Sequence, residues 1–329
     1  MATTDIISRD FDFLHGRWRV RNRRLLRPLT GSNEWAEFEG TSVVRAVWDG
    51  QGCLEEWEGD APTGHISAVS LHLWDPRAHQ WSMHWATRAD GKLGVPTVGC
   101  FANGRGDFFA HEDFEGRAIF LRLRWEPRGA NACRFEQAFS TDGGATWETN
   151  WQMEFTRAAN ADVFAMRAPV RAREGACDFD YLHGSWRVHN RRLRASLALA
   201  TEWYEFDGDV TESAFWDGDG NLEEYDAVLP DGVRLRGLAL RLYEPDAQRW
   251  TIRWASDATG TLDPPMTGAF IDGRGAFYSQ ERYDGRMIFV RFLWTHRGER
   301  SARWEQSFSI DGGKTWEMNW IMDFSRTGT

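Results

Sequence analysis

The chain has 329 residues and a net charge of -10. An acidic balance argues against nucleic acid as a partner, because affinity for nucleic acid comes largely from Lys and Arg side chains that contact phosphates. No run of about 18 apolar residues is present, and the segment Met1–Asp5 has neither the basic start nor the apolar core of a signal peptide. The sequence therefore predicts a protein that binds no nucleic acid and enters no membrane.

Most of the sequence occurs twice. The segment Phe11–Trp18 (FDFLHGRW) returns as Phe179–Trp186 (FDYLHGSW), and the segment Asp142–Glu148 (DGGATWE) returns as Asp311–Glu317 (DGGKTWE). Between these pairs the register slips by one residue, most simply in the loop Ala61–Ile66. The chain is therefore a tandem duplication of one domain of about 150 residues, and a residue kept in both copies fits a shared structural or chemical need.

In chain order, the first copy begins with a short turn around Asp10–Leu14 and continues in strands marked by period-two alternation. The clearest strand faces are Trp18, Val20, Asn22 and Arg24; Trp81, Met83 and Trp85; Ile119, Leu121, Leu123 and Trp125; and Trp147, Thr149, Trp151, Met153 and Phe155. Turn pairs such as Asp49-Gly50 and Asn103-Gly104 separate the runs. We predict an all-β fold with about eight to ten short strands in each copy, as in an antiparallel barrel or sandwich.

A segment with no counterpart inside either copy separates the two. It covers residues 158–176, is rich in Ala and Arg, and contains Pro169. Such a composition is typical of a linker. The predicted domains are therefore residues 9–157 and 177–327, joined by the linker 158–176.

Gly16-x-Trp18 and Gly184-x-Trp186, at the start of the first strand of each copy, resemble the Gly-x-Trp signature of the lipocalin/calycin superfamily. The opening FDFLxGxW, the strands with Phe135-Glu136-Gln137 or Trp304-Glu305-Gln306, and the ending Thr-Trp-Glu-x-Asn-Trp together resemble a group of uncharacterised bacterial lipocalin-like proteins. The resemblance covers both copies. It implies two up-and-down barrels, each closed at one end by its Trp, and we expect the barrels to pack together as a pseudo-dimer through apolar strand faces. It implies little about activity, because one fold serves many functions.

A second motif recurs near the end of each copy. Ser140-x-Asp142-x-Gly144-x-Thr146-Trp147 and its repeat Ser309–Trp316 match the Asp-box of sialidase propellers. The motif is physically a hairpin, in which the Asp side chain caps turn amides and glycines adopt positive φ. It occurs once per copy, with no period of propeller-blade length. We therefore interpret it as a structural hairpin and not as part of a sialidase.

Polar and aromatic residues kept in both copies are the candidates for a ligand site. An inward Arg without a partner is costly, so we expect a carboxylate beside the arginines that share the face of Trp18. A tryptophan-lined barrel with a few polar groups suits a small aromatic or polyketide-like molecule. The alternative is that these groups form buried structural networks. The predicted ligand-binding residues are Asn22, Arg24, Trp85, Gln137, Trp151, Asn190, Arg192, Trp254, Gln306 and Trp320.

Two adjacent glutamate pairs also recur, Glu55-Glu56 and Glu223-Glu224. Neighbours on a strand point to opposite faces, so the two members of a pair cannot act on one substrate atom. One member of each pair is expected inside the barrel, where burial raises the pKa of a carboxyl and suits it to general acid–base catalysis. We predict Glu56 and Glu224 as the catalytic candidates.

Neither a metal site nor a cofactor is predicted. His15 recurs as His183, whereas arginines replace His72 and His84 in the second copy. We expect His72 and His84 to be cross-strand neighbours on the outer face of the first barrel. The four cysteines lack the spacing of a zinc site or a disulfide framework, which favours free thiols in a reducing cytoplasm.

The leading hypothesis is binding of a small, largely apolar ligand in one or both barrels of a cytoplasmic bacterial protein. The alternative is a cofactor-free isomerase or cyclase of secondary metabolism, in which a buried Glu acts with Arg, Asn or Gln. A third hypothesis is a structural scaffold whose barrels are filled by their own tryptophans. A homodimer is left open as an alternative to a monomer.

Overall fold

The computed structural model describes residues 8–159 and 175–328. They form two compact units, each of which is a closed antiparallel barrel of ten strands. The strands of the two barrels begin and end inside the predicted domains 9–157 and 177–327. Most of the predicted linker, residues 160–174, lies outside the described residues.

The first barrel contains strands β1 to β10. Short 3-10 turns at Asp12–Leu14 and Trp48–Gly50 precede β1 and β3. The strands are β1 (Gly16–Leu25), β2 (Trp35–Val47), β3 (Gly52–Ala61), β4 (Gly64–Asp75), β5 (Gln80–Thr87), β6 (Thr97–Ala102), β7 (Arg105–Phe114), β8 (Arg117–Pro127), β9 (Ala132–Ser140) and β10 (Glu148–Arg157).

The second barrel repeats this order, with 3-10 turns at Asp180–Leu182 and Trp216–Gly218. Its strands are β11 (Gly184–Leu193), β12 (Trp203–Phe215), β13 (Gly220–Val228), β14 (Arg234–Glu244), β15 (Arg249–Ser256), β16 (Met266–Ile271), β17 (Arg274–Tyr283), β18 (Arg286–His296), β19 (Ser301–Ser309) and β20 (Glu317–Arg326).

Each strand pairs with its neighbour along the chain, and the first strand of each barrel pairs with the last. The all-β, up-and-down architecture predicted from the period-two pattern is therefore confirmed, with ten strands per barrel. Closure leaves no free sheet edge, because the backbone groups of β1 pair with β10 and those of β11 pair with β20.

One end of the first barrel is closed around Trp18, which is fully buried. The indole Nε1 of Trp18 donates a hydrogen bond to the carbonyl oxygen of Leu14 at 2.7 Å. The guanidinium of Arg157 lies 3.7 Å from the Trp18 ring centroid and donates to the carbonyl oxygens of Phe13 and His15. Trp186, Leu182 and Arg326 repeat the arrangement in the second barrel.

The glycine of Gly-x-Trp is required by this closure. Gly16 has a φ of +117°, a conformation that residues with a side chain rarely adopt. A Cβ atom at Gly16 would also lie 2.7 Å from Nη1 of Arg157, so a larger residue would displace the guanidinium from Trp18.

The Asp-box segment forms the predicted hairpin. Asp142 accepts hydrogen bonds from the backbone N–H of Thr146 at 2.9 Å and from its hydroxyl at 2.6 Å. These hydrogen bonds hold the pKa of Asp142 down at about 2. Trp147 donates to the carbonyl oxygen of Gly144, and the guanidinium of Arg122 stacks on its ring on the outer face.

A β-bulge in the last strand corrects the predicted strand face. The ladder pairs Thr149 with Ala138 but Trp151 with Gln137, so Asn150 is an extra residue on β10. Simple alternation predicted that Trp147 and Thr149 share a face with Trp151. Because of the bulge, they do not. The equivalent irregularity recurs at Asn319 in β20.

Candidate functional site

Each barrel contains a cavity with mainly apolar walls. The cavity volume is about 160 Å³ in the first barrel and about 110 Å³ in the second. Either space is large enough for several waters or one small organic molecule. The aromatic residues that line the first cavity are Trp57, Trp85, Trp125, Phe135, Trp151 and Phe155.

The tryptophans form a cage at one wall of the first cavity. The ring centroids of Trp57 and Trp85 lie 5.6 Å and 6.2 Å from that of Trp151, with the ring planes close to perpendicular. In the second barrel Tyr225 takes the place of Trp57, and its ring lies 6.0 Å from Trp254. Edge-to-face packing of this kind fixes the orientation of each ring. The cavity walls are thus rigid aromatic surfaces.

Six of the ten predicted ligand-binding residues line a cavity. Trp85, Gln137 and Trp151 line the first, and their equivalents in the second copy line the second: Trp254, Gln306 and Trp320. Gln137 donates its amide N–H to Oδ1 of the bulge residue Asn150 at 2.9 Å, and Gln306 makes the same bond to Asn319 at 2.8 Å.

The predicted residues Asn22 and Asn190 are fully buried and hold the cavity tryptophans in place. Oδ1 of Asn22 accepts a hydrogen bond from Nε1 of Trp151 at 3.1 Å. Oδ1 of Asn190 accepts from Nε1 of Trp320 at 3.0 Å and from the Tyr225 hydroxyl at 3.1 Å. These amides belong to a buried network that orients the aromatic wall.

Arg24 and Arg192 lie on the same inward face as the asparagines, near the end of the barrel opposite Trp18. The guanidinium of Arg24 lies 4.6 Å from the ring centroid of Trp151, and that of Arg192 lies 4.6 Å from Trp320. The predicted carboxylate partner is wrong, since no described acidic side chain forms an ion pair with either arginine. The tryptophan ring takes the place of that partner.

Of each adjacent glutamate pair, the structure places the first member inside the barrel. Glu55 and Glu223 line the cavities, whereas Glu56 and Glu224, the predicted catalytic candidates, do not. Glu55 faces the cavity because it lies two residues before the cavity residue Trp57 on β3, and residues two apart on a strand share a face.

Glu55 is the most perturbed acid of the first cavity. The residue is 3% exposed, and its carboxyl accepts a hydrogen bond from the hydroxyl of Ser42 at 2.7 Å. Burial raises the pKa of Glu55 to about 7, because the ionised form loses its hydration. Near neutral pH this carboxyl can therefore either donate or accept a proton.

His72 also lines the first cavity, which corrects the prediction that it lies outside. The ladder pairs His72 with Met83 and His84 with Leu71, so the two histidines are on opposite faces and are not cross-strand neighbours. Burial lowers the pKa of His72 to about 3, so its imidazole is neutral at physiological pH. Its Nε2 lies 2.9 Å from the Ser70 hydroxyl, and its buried Nδ1 has no hydrogen-bond partner.

The second barrel carries a different polar cluster at the equivalent depth. The guanidinium of Arg241 is fully buried and bonds both carboxylate oxygens of Glu212 at 2.7 and 2.8 Å, the amide oxygen of Asn221 at 3.1 Å, and Glu223. Burial raises the pKa of Glu212 to about 7, and Arg241 opposes that shift. Glu223 is thus held by a fixed cation, whereas its counterpart in the first barrel is not.

The sequence contained a signal for this difference that the prediction missed. Arg241 stands where the first copy has His72, and Glu212 stands where it has Val44. β12 and β14 both pair with β13, which brings Glu212 and Arg241 together. A simultaneous change to an acid and a base on strands two apart is a sequence-level indication of a buried ion pair.

Further acids line the other side of each cavity. Glu112 lines the first cavity, and burial raises its pKa. Asp263 and Glu281 line the second, where burial raises the pKa of both, and the charge of Asp263 adds to the shift of Glu281. The second cavity is therefore the more acidic at this wall.

Neither a metal cluster nor a disulfide is present in the part of the chain that the structure describes. No group of three or more His, Cys, Asp or Glu side chains within residues 8–159 and 175–328 could hold a metal ion. All four cysteines lie within those ranges and are unpaired, with Cys53 and Cys133 buried. No described helix is both long and apolar enough to cross a membrane.

Comparison with known proteins identifies no family for the chain. No family model and no curated protein matches it. Among solved structures, a protein of unknown function from the DUF3598 family of Nostoc punctiforme is 11% identical, with 97% of this chain and 98% of that chain covered and a TM-score of 0.30. A double mutant of transferrin binding protein B from Haemophilus parasuis is 7% identical, with coverages of 94% and 75% and a TM-score of 0.19. At these TM-scores neither similarity supports an argument about this chain.

Proposed function

We propose that each barrel binds a small, largely apolar organic ligand in its aromatic cavity. The observation that carries the proposal is the combination, found in both barrels, of an internal cavity with rigid aromatic walls and a small number of polar groups that reach it. Such a composition is typical of sites for small organic molecules, in which apolar walls supply affinity and a few polar groups fix orientation. The presence of an open cavity in both barrels favours a binding role over a scaffold whose barrels are filled by their own side chains, because the tryptophans line the space and leave it open.

We further propose that the barrels are lipocalin-like and that the protein is bacterial and cytoplasmic. The up-and-down order and the closure of one end by the Trp of Gly-x-Trp support the first point. The resemblance of the repeated motifs to bacterial lipocalin-like proteins supports the second, and the unpaired cysteines agree with a reducing compartment.

Intrinsic tryptophan fluorescence tests the binding proposal. A ligand that enters either cavity contacts Trp85 and Trp151 or Trp254 and Trp320, so saturable quenching is expected from small aromatic compounds that fit. Recovery of the compound with unchanged mass is the expected result for a carrier. Trp35, outside the cavity on β2, provides a control, because Trp35→Phe is expected to leave the quenching unchanged. Absence of saturable quenching across a panel of small aromatic compounds would instead support the scaffold hypothesis.

A second candidate function is cofactor-free proton transfer in the first barrel, as in an isomerase or cyclase. Glu55 favours it, because its carboxyl is in a cavity, its pKa is about 7, and no described cation pairs with it. General acid–base catalysis is most efficient when the pKa of the group is close to the working pH. The neutral imidazole of His72, with Nδ1 unpartnered, is a second group able to hold a substrate oxygen or proton.

The catalytic candidate is tested with a matched pair of variants. Metabolite extracts are incubated with the wild type, with Glu55→Gln and with Glu56→Gln, and altered masses are sought. An enzyme that uses the interior carboxyl loses turnover in Glu55→Gln and keeps it in Glu56→Gln. Equal turnover in both variants would contradict a catalytic role for Glu55.

A further inference from the structure

The same arrangement of Arg, Trp and Gln occurs in both barrels. Arg24 lies opposite Trp151 in the ladder between β1 and β10, and Trp151 lies opposite Gln137 in the ladder between β10 and β9. Arg192, Trp320 and Gln306 form the same row in the second barrel. Three neighbouring strands thus present a guanidinium, an indole and an amide side by side. Each Trp and Gln of these rows lines its cavity.

The guanidinium of each row has an aromatic contact but no anion. Arg24 stacks on Trp151, and Arg192 stacks on Trp320, each at 4.6 Å from the ring centroid. Neither guanidinium donates a hydrogen bond to any described residue, whereas other interior arginines are paired, as Arg241 is with Glu212. Burial lowers the pKa of Arg24 because its charge is removed from water without a compensating acceptor. A partly buried guanidinium with five free donors is a binding site for an anionic group.

The surrounding hydrogen bonds leave the arginine as the main donor at this wall. The Nε1–H of Trp151 already donates a hydrogen bond to Asn22, and one amide N–H of Gln137 donates to Asn150. Arg24 is not itself a lining residue, but its guanidinium lies 4.6 Å from the ring centroid of Trp151, which lines the cavity beside Gln137. Contact with the Trp151 ring restricts the motion of the guanidinium, which reduces the entropy lost when a bidentate pair forms.

We infer that the ligand of these barrels is an apolar carboxylic acid, and that its carboxylate binds to Arg24 in the first barrel and to Arg192 in the second. The inference rests on the proposed function and names its ligand class. A carboxylate fits better than a phosphate for two reasons. A single guanidinium balances one negative charge, and its fork matches the two oxygens of a carboxylate. An acid on another wall, Glu112 or Glu281, would repel a dianion more strongly than a monoanion.

The position of those acids agrees with the inference. Around the first barrel, Arg24 on β1 and Glu112 on β7 are four strands apart in the order β1-β10-β9-β8-β7. No ion pair joins them among the described residues, and Glu112 lines the cavity beside which Arg24 stacks on Trp151. The carboxylate of Glu112 can accept a hydrogen bond from a hydroxyl at the other end of the ligand.

The test uses two probes of the same shape, 1-naphthoate and its uncharged analogue 1-naphthamide, titrated into the full chain by calorimetry and tryptophan fluorescence. The wild type is expected to bind naphthoate more tightly than naphthamide. In the double variant Arg24→Gln/Arg192→Gln, naphthoate affinity is expected to fall roughly 10- to 100-fold, while naphthamide affinity stays within about threefold of the wild type. Arg24→Lys/Arg192→Lys, which keeps the charge, is expected to recover part of the preference for the acid. Arg21→Gln is the matched control, since Arg21 is on the same strand but on the exposed outer face, paired with Glu37.

The outcomes separate this inference from the proposed function. Equal affinity of the wild type for the two probes would overturn the inference and leave a binding cavity in place. An equal loss of affinity for both probes in the double variant, with an altered near-ultraviolet circular dichroism spectrum, would show that the arginines only support the tryptophan wall. That result would also overturn the inference. Binding of neither probe to the wild type would count against the inference and against the proposed function together.

Discussion

Replacement of Glu55 by Gln is expected to stabilise the protein at alkaline pH. Glu55 is 3% exposed, and the hydrogen bond that its carboxyl accepts from Ser42 is one that a glutamine amide oxygen can also accept. Burial raises the pKa of Glu55 from the ordinary value of 4.5 to about 7. The folded state therefore favours the protonated carboxyl, and ionisation of the group destabilises the fold.

The magnitude follows from the linkage between proton binding and folding. The stability associated with protonated Glu55 is fully present below pH 4.5, the pKa of the unfolded chain, and is lost as the pH rises to the folded pKa of about 7. One pKa unit corresponds to about 1.4 kcal/mol, so the loss is about 1 kcal/mol at pH 5 and about 3 kcal/mol at pH 8. Glu55→Gln removes the ionisable group. Its advantage over the wild type is thus expected to grow by about 2 kcal/mol between these pH values.

The assay is urea unfolding of the full chain at several pH values between 5 and 8, followed by tryptophan fluorescence. Glu212 in the second barrel also titrates with a raised pKa, but it contributes equally to both proteins, so the difference between variant and wild type isolates Glu55. Glu39→Gln on the exposed face of β2 is the control and is expected to show no such trend. A stability difference that stays constant from pH 5 to pH 8 would show that ionisation of Glu55 does not destabilise the fold.

Three further substitutions test other parts of the structure. Arg241→Met leaves two buried glutamates without a cation and is expected to lower the free energy of unfolding by about 3–5 kcal/mol at pH 8. The loss is expected to be smaller at pH 5, because burial raises the pKa of Glu212 to about 7; an unchanged urea midpoint would contradict this. Arg157→Met removes the stack on Trp18 and the hydrogen bonds to backbone carbonyls, and a loss of about 2 kcal/mol is expected in the same assay, whereas wild-type stability would show that closure of the barrel end does not depend on it. Asn22→Ala leaves Nε1 of Trp151 without an acceptor, so a loss of about 1–3 kcal/mol is expected together with a changed near-ultraviolet circular dichroism signal; an unaltered spectrum would argue against the orienting role of the amide.

The architecture could be predicted from the sequence because the information is local and repeated. Period-two alternation identifies strands, and the recurrence of Gly16-x-Trp18 as Gly184-x-Trp186 marks the start of each barrel. The cavity tryptophans were also predictable, since Trp85 and Trp151 recur on strands with one strongly apolar face. The bulge at Asn150 was not, because a single inserted residue changes the facing of its neighbours without changing the composition of the strand.

The interior polar residues were harder to predict because several strands are buried on both faces. On β4, Leu71 and Leu73 are fully buried on one face while His72 faces the cavity on the other, so hydrophobicity does not mark the inside. Facing then depends on the register of the β4–β5 hairpin, which pairs Asp75 with Gln80 and so places His72 beside Met83. For Glu55 a local signal did exist, since the residue two positions away is Trp57.

Native mass spectrometry of the full chain after incubation with a metabolite extract of its source organism, compared with the same sample under denaturing conditions, tests directly whether the barrels bind small molecules. We expect one or two bound small molecules that are released unchanged on denaturation and whose masses correspond to apolar acids. Retention of the ligand is expected in Arg21→Gln and loss in Arg24→Gln/Arg192→Gln. A chain that carries no small molecule in any extract, at concentrations where its tryptophan fluorescence is also unaffected, would contradict the claim that these cavities are binding sites.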